Sequence, residues 1–491
     1  MKHSPEIATR PATLRTQTLR ALPLLAIPLL ALSSLNAQAY NWSTCPAGGP
    51  IDYNSGHMTF NYGNDLSTAQ KTALSLGHAR TTAFSDSSIT TIDNGDNDFF
   101  SGNGENEIYL NAAEPTAVCS TWLNPVTCVV TEADMQYGSQ TWTTTDNSAH
   151  FPYANGRSMT ATAIHESGHC IGMAHSNDIY NMMGSDFSHV TRQGTDAYYG
   201  PGEDLSNGLI DLHGEKSGGS DTHRDVGISV MRYSGVSGPY SVHDFGQLRD
   251  LAGTPLPIVG SYVGQALYRV VAGATIQMET TAENNGELDT ENPSVGIYLS
   301  DNDIISGTDV LITQSIVPLT RDTPLEAIAN VVIPSNTIAG NYFLGAYIDN
   351  DDTITETTAA NNYAYYPLTV IGAPDVLSLS PGVSDATLNP SQLFTVSATV
   401  MNDGSLSSNA TTLRYYVSTD ATITTADTFL GASSIGSLGT GASSGHISPS
   451  VSIATSGSYW VGACVDLVSG EGNTSNQCTT GVSVAVLPPG C

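Results

Sequence analysis

The chain has 491 residues, enough for about three domains that each bury a core. Lys and Arg total 15 against 46 Asp and Glu, a formal net charge of −31, and lysine occurs only at positions 2, 71 and 216. Such a surface repels phosphate backbones and anionic headgroups, which excludes nucleic acid and acidic membranes as expected partners.

Residues 1–39 read as an export signal. Lys2, Arg10, Arg15 and Arg20 precede the apolar run Ala21–Leu32, and Ala37-Gln38-Ala39 offers a small-x-small cleavage site. The run is short and broken by Pro23 and Pro28, so the mature chain, starting at Tyr40, is expected to be secreted and to have no transmembrane span. Leu66–Phe84 is patterned as a first helix capped by Ser67 or Thr68. Asp93–Asp98 is an acidic loop. It could chelate calcium but lacks EF-hand spacing, and a solvated turn is the competing reading. Asn106–Leu110 and Val126–Tyr137 read as strands.

Seven cysteines fit an oxidising exterior, with one left over. Cys119 and Cys128 flank the turn signal Asn124-Pro125 and are expected to bridge a hairpin. Cys464 and Cys478 bracket an Asp/Gly/Asn-rich turn and are expected to pair likewise. Cys45, Cys170 and Cys491 remain unassigned.

Ser158 can cap a helix that runs into His165-Glu166-Ser167-Gly168-His169-Cys170-Ile171-Gly172-Met173-Ala174-His175, followed by Asn181-Met182-Met183-Gly184. A helix turns about 100° per residue, so His165 and His169 project from one face, one turn apart. Gly172 can take a positive φ, letting the chain leave the helix sharply and return His175 as a third nitrogen. Three imidazoles with one open position are the ligand set of a catalytic zinc. Cys170 points about 100° away from His169 on that helix, which suits a buried thiol or bridge partner better than a ligand.

This run resembles the metzincin clan of zinc endopeptidases, whose pattern is H-E-x-x-H-x-x-G-x-x-H with a downstream Met-turn; His175-Ser176-Asn177-Asp178 is most like the matrixin branch. The resemblance covers residues 40–215 and implies an α+β catalytic domain, a twisted mixed sheet plus helices. It implies one catalytic Zn2+ on His165, His169 and His175, Met183 as an apolar floor beneath them, and protein or peptide substrates. Zinc would acidify its water, and Glu166 would act as general base and pass the proton to the leaving amine. Also by resemblance, Ala117, Val118, Cys119, Ser120, Thr121 and Trp122 form the edge strand that pairs with extended substrate, braced by the Cys119–Cys128 link. Ser185–Gly200 would wall a substrate pocket, with His189, Tyr198 and Tyr199 read as packing, and Glu203–Gly214 would be the closing helix. No cysteine-switch segment follows the export signal, and His150 lacks the partners of a second, structural zinc site.

Residues 216–224 read as a flexible linker. From Asp225 onward helix signals vanish and short Val/Ile/Tyr/Thr strands repeat. Asn284-Asn285-Gly286 recurs as Asn402-Asp403-Gly404, and Gly340–Asp349 as Gly457–Asp466, at offsets near 118 residues. Two all-β immunoglobulin-like sandwiches are expected, 225–371 and 372–491. Their N-x-G turn and G-x-Y-x-x-G-x-x-x-D strand resemble CARDB modules, which implies attachment to a cell surface, an extracellular polymer or a substrate. Asp301-Asn302-Asp303 and Asp349–Asp352 could bind calcium, with solvated turns as the competing reading. The whole reads as a secreted zinc-dependent endopeptidase with attachment modules. The alternative is an adhesin or surface-binding protein whose metzincin-like domain is inactive or secondary.

Overall fold

The structure is a computed structural model that describes residues 30–31 and 40–488, apart from 46–47, 52, 54–55, 97–101, 148–155, 177–180, 185–188, 217–222, 239 and 472. The expected export signal, except for two residues, and most of the expected linker lie outside the described residues, as do His150 and Cys491.

The N-terminal region is built on a five-stranded sheet of β1 (His57–Gly63), β2 (Ser88–Asp96), β3 (Glu107–Leu110), β4 (Ala117–Leu123) and β5 (Val130–Tyr137), in the order β2-β1-β3-β5-β4. β1 is parallel to β2 and β3, and β3 to β5; β4 runs antiparallel to β5 and forms an edge. Parallel neighbours need a crossover, which α1 (Thr68–Thr81) supplies between β1 and β2. A capping box starts α1: Ser67 Oγ accepts the Gln70 N–H at 3.3 Å, and Gln70 Oε1 accepts the Ser67 N–H at 2.8 Å. α1 lies against α2 (Met159–Cys170) at Gly77, where an added Cβ would come 2.5 Å from the Ala163 Cβ. A glycine there lets the two helices approach closely. Almost every residue of α2 is buried, as are the first nine residues of α3 (Gly202–His213).

Two bridges in this region differ from the expected Cys119–Cys128 pair. Cys119 is joined to Cys170, and Cys128 to Cys45. The Asn124 turn does form, with the Cys128 N–H donating to Asn124 O at 2.7 Å. Cys119, however, stands opposite Met135 in the β4–β5 register while Cys128 stays in the turn, so the two are not cross-strand neighbours. Their partners come from outside the hairpin. The edge strand is thereby tied to the end of α2.

Residues beyond 224 form β-sandwiches. In the first, a six-stranded sheet (Ile258–Tyr262, Gln265–Val271, Tyr363–Ile371, Gly340–Ile348, Ser294–Ser300, Val310–Ile316) covers a sheet containing Leu325–Val332, Thr275–Asn284 and Val226–Ser229. Ile276, Met278, Val331, Leu344 and Leu368 fill the space between them. A second apolar core gathers residues from Val376 to Val486. The two copies share a turn: Asn284 and Asn402 are fully buried, each accepting the N–H of a glycine two residues on (Gly286, Gly404) and donating to the carbonyl four residues on (Leu288, Leu406). Cys464 and Cys478 are joined in the second copy.

The N-terminal region is docked on the first sandwich. Arg192 is buried, donates to Val263 O at 2.9 Å and Gln265 Oε1 at 2.6 Å, and lies 4.9 Å from the centre of the Tyr365 ring. Glu203 of α3 accepts the N–H groups of Asn284 and Thr323. The linker composition suggests two loosely tethered bodies; the contacts show a polar interface with long-range hydrogen bonds.

Candidate metal centre

α2 carries His165 and His169, and the chain turns back at Gly172 to bring in His175. Gly172 has φ +122°, a backbone conformation that favours glycine at this reversal, and an added Cβ would also press on a methyl of Leu212. The returning segment Met173–Ala174 pairs antiparallel with Asn41–Trp42, and Asn41 Nδ2 donates to His175 O at 3.1 Å. The three Nε2 atoms then converge, with separations of 3.1 Å (His165–His169), 3.1 Å (His169–His175) and 3.3 Å (His165–His175).

This triangle fits a tetrahedral zinc, whose bonds to nitrogen of about 2.0–2.1 Å place two ligands about 3.3 Å apart. The tautomers fit as well. His165 Nδ1 lies 2.8 Å from Met182 O and His169 Nδ1 2.9 Å from Met173 O, so a proton on each Nδ1 leaves the Nε2 lone pairs turned inward. Burial, reinforced by the neighbouring imidazoles, lowers His169 well below the usual histidine range and His175 to about 4, which keeps both rings neutral as ligands must be. Among the described residues no other group of three His, Cys, Asp or Glu donors gathers in this way. Three carboxylates of the acidic turns have partners within the protein: Asp349 accepts the Thr353 and Ile354 N–H groups, Asp303 accepts the Tyr262 hydroxyl, and Asp93 pairs with Lys71, while Asp98 lies outside the described residues.

Glu166 follows the first imidazole and is 6% exposed. Its Oε2 accepts the backbone N–H of Cys119 at 2.8 Å. The edge strand therefore meets α2 twice, through this hydrogen bond and through the Cys119–Cys170 bridge four residues further along the helix. Ala117, Val118, Ser120, Thr121 and Trp122 lie on the same strand, all partly buried.

Met183 is fully buried, its Sδ 2.6 Å from where a Cβ on Gly168 would stand, so Gly168 is the notch in α2 that admits it. The Met182–Met183 turn is held from α3. Asp204 is fully buried and accepts the N–H of Met182 at 2.8 Å and of Met183 at 2.7 Å. Sequence reasoning placed this helix but gave Asp204 no role; the signal available was a carboxylate at the third position of a helix whose neighbours are buried. His189 is buried, 2.9 Å from Glu283 of the first sandwich. Tyr198 lies under Arg80. Ser185–Ser188, at the start of the expected pocket wall, lie outside the described residues. One neighbour of the triad comes from beyond the linker: the Tyr240 ring is centred 4.7 Å from that of His175.

Residues 261–365 match the CARDB family. This segment is a CARDB domain. Similar solved structures include a CARDB domain from Pyrococcus furiosus in complex with di-metal ions, at 21% identity over 24% of this chain and 97% of that one, with a TM-score of 0.20. A domain of a putative cell surface protein from Methanosarcina acetivorans matches at 24% identity over 23% of this chain and 93% of its own, with a TM-score of 0.18. Red sea bream transglutaminase matches at 10% identity over 44% of this chain and 30% of its own, with a TM-score of 0.21. No curated protein matches the chain. The molecule is thus multidomain and mostly β, with disulfides and a CARDB domain, and among the described residues no helix is long and apolar enough to cross a membrane. These features are consistent with an extracellular or surface location.

Proposed function

We propose that the chain is a secreted zinc-dependent endopeptidase of metzincin type, with residues 40–215 as the catalytic domain and the sandwiches 225–371 and 372–491 as attachment modules. The observation that carries this reading is the convergence of three Nε2 atoms within 3.3 Å beside a buried carboxylate on the same helix. His165, His169 and His175 would hold the ion, which when bound supplies Lewis-acid charge next to a peptide carbonyl and acidifies water. Glu166 takes a proton from the attacking water and returns it to the leaving nitrogen. The Cys119 N–H fixes the orientation of that carboxylate, and β4, as a sheet edge, can align an extended peptide alongside it.

The experiment is chelation and restoration. The purified protein is expected to cleave denatured casein, to stop when a chelator removes its metal, and to resume with one equivalent of zinc. Zinc-loaded protein inactive on casein and on a broad peptide library would instead favour the second reading, a surface-binding protein with a secondary metal site, which the CARDB domain supports.

A further inference from the structure

The hairpin formed by Met231–Ser237 and Tyr240–Phe245 lies between the linker and the CARDB match, yet it reaches back to the imidazole cluster. Its seat is specific. Ser241 is buried and its Oγ donates to Asn181 Oδ1, in the Met-turn segment, at 3.0 Å. An added Cβ on Gly184 would collide with that same Oγ as well as with Asn181 Oδ1 and the Ser176 carbonyl, so the glycine serves both the turn and the hairpin seated on it. Phe245, at the other end of the strand, packs against both the N-terminal core and the sandwich core, and the Tyr233 N–H donates to Glu326 at 2.8 Å. At the tip of the hairpin, next to Ser241, Tyr240 remains 49% exposed, its ring plane inclined 59° to that of His175.

A large aromatic ring on an anchored hairpin, against one face of a metal ligand and half open to solvent, is a surface for a ligand to cover. Resting on the endopeptidase reading, we propose that Tyr240 is a specificity-determining residue: its ring packs against a side chain of the extended substrate beside the scissile bond. The substrate class is then an unfolded polypeptide segment with an apolar or aromatic residue flanking that bond. The first sandwich acts in cleavage through its hairpin as well as in attachment.

Two readouts test this. In zinc-loaded Glu166→Ala protein, benzoylphenylalanine installed at position 240 is expected to photo-crosslink to denatured casein, while the same photo-residue at the exposed position 393 of the last sandwich stays at background. In the active protein, Tyr240→Ala is expected to raise KM for an apolar-flanked peptide about three- to tenfold, the scale of one aromatic contact, with kcat within about twofold, and to shift the preferred residue in cleavage-site profiles. Tyr240→Phe should restore KM. No adduct at position 240, or Tyr240→Ala kinetics and profile equal to wild type in a folded protein, overturns the assignment. An adduct in a chain whose wild type cleaves nothing keeps the substrate wall and discards the hydrolase.

Discussion

Asp204 sits on α3, yet it sets the position of the first imidazole, because the turn it holds presents Met182 O to His165 Nδ1. Asp204→Ala would leave two buried N–H groups without acceptors, at a cost of about 2–5 kcal/mol, and let that carbonyl drift. The expected result is a lowered Tm and zinc affinity weakened about 10- to 100-fold by chelator competition; unchanged affinity would show that the turn holds without it. Other buried carboxylates set the pH response. Burial raises Asp225 to about 7 and Glu356 to about 8, both in the first sandwich. A carboxyl whose folded pKa lies above its unfolded value near 4 binds more protons when folded, so its contribution is full at low pH and is lost as pH rises through 7 and 8. His78 acts oppositely: burial lowers it to about 3, and its contribution, present above its unfolded pKa, is lost as pH falls from about 6.5 towards 3. In chelator-treated Glu166→Ala protein, Tm is therefore expected to be higher at about pH 6 than at about pH 8.5, and Asp225→Asn should flatten that slope. A Tm that rises from pH 6 to 8.5 would contradict the burial of these groups.

At the scale of elements, α2 and β4 act as one unit through the Cys119–Cys170 bridge and the Cys119–Glu166 hydrogen bond. Replacing both cysteines by alanine removes a link across 51 residues, worth up to about 4 kcal/mol in loop entropy, and should lower kcat more than it raises KM, since Glu166 loses its brace. Steady-state kinetics on a fluorogenic peptide would show it; a loss in KM alone would place the bridge in binding. The histidine arrangement of this unit was legible in the sequence because helical spacing and one glycine determine it locally. The bridge was not. A turn signal between Cys119 and Cys128 says that two strands approach, but which sulfur lies within reach depends on how α2 crosses the sheet, and that is written in no local pattern. The repeated sandwiches were legible for the opposite reason: Asn284 and Asn402 each close a turn with their own neighbours, so the constraint stays in sequence at an offset near 118 residues.

At the scale of the molecule, the docking of the N-terminal region on the first sandwich is what a linker-like composition concealed. Arg192, Glu203 and His189 carry no local pattern that marks a docking face, and they become interface once two surfaces meet. Arg192→Ala removes both hydrogen bonds to the sandwich and the contact with Tyr365, and is expected to speed limited proteolysis between residues 215 and 224; an unchanged rate would mean that the interface does not depend on this residue. The central claim is that three imidazoles hold a zinc ion with Glu166 poised to move protons at a peptide bond. Its most direct test is casein turnover by wild type and Glu166→Ala, each verified to carry one zinc per chain. The account predicts equal metal content and a rate about 10²- to 10⁴-fold lower in the variant. Equal rates, or a zinc-loaded wild type that cleaves nothing, would contradict it.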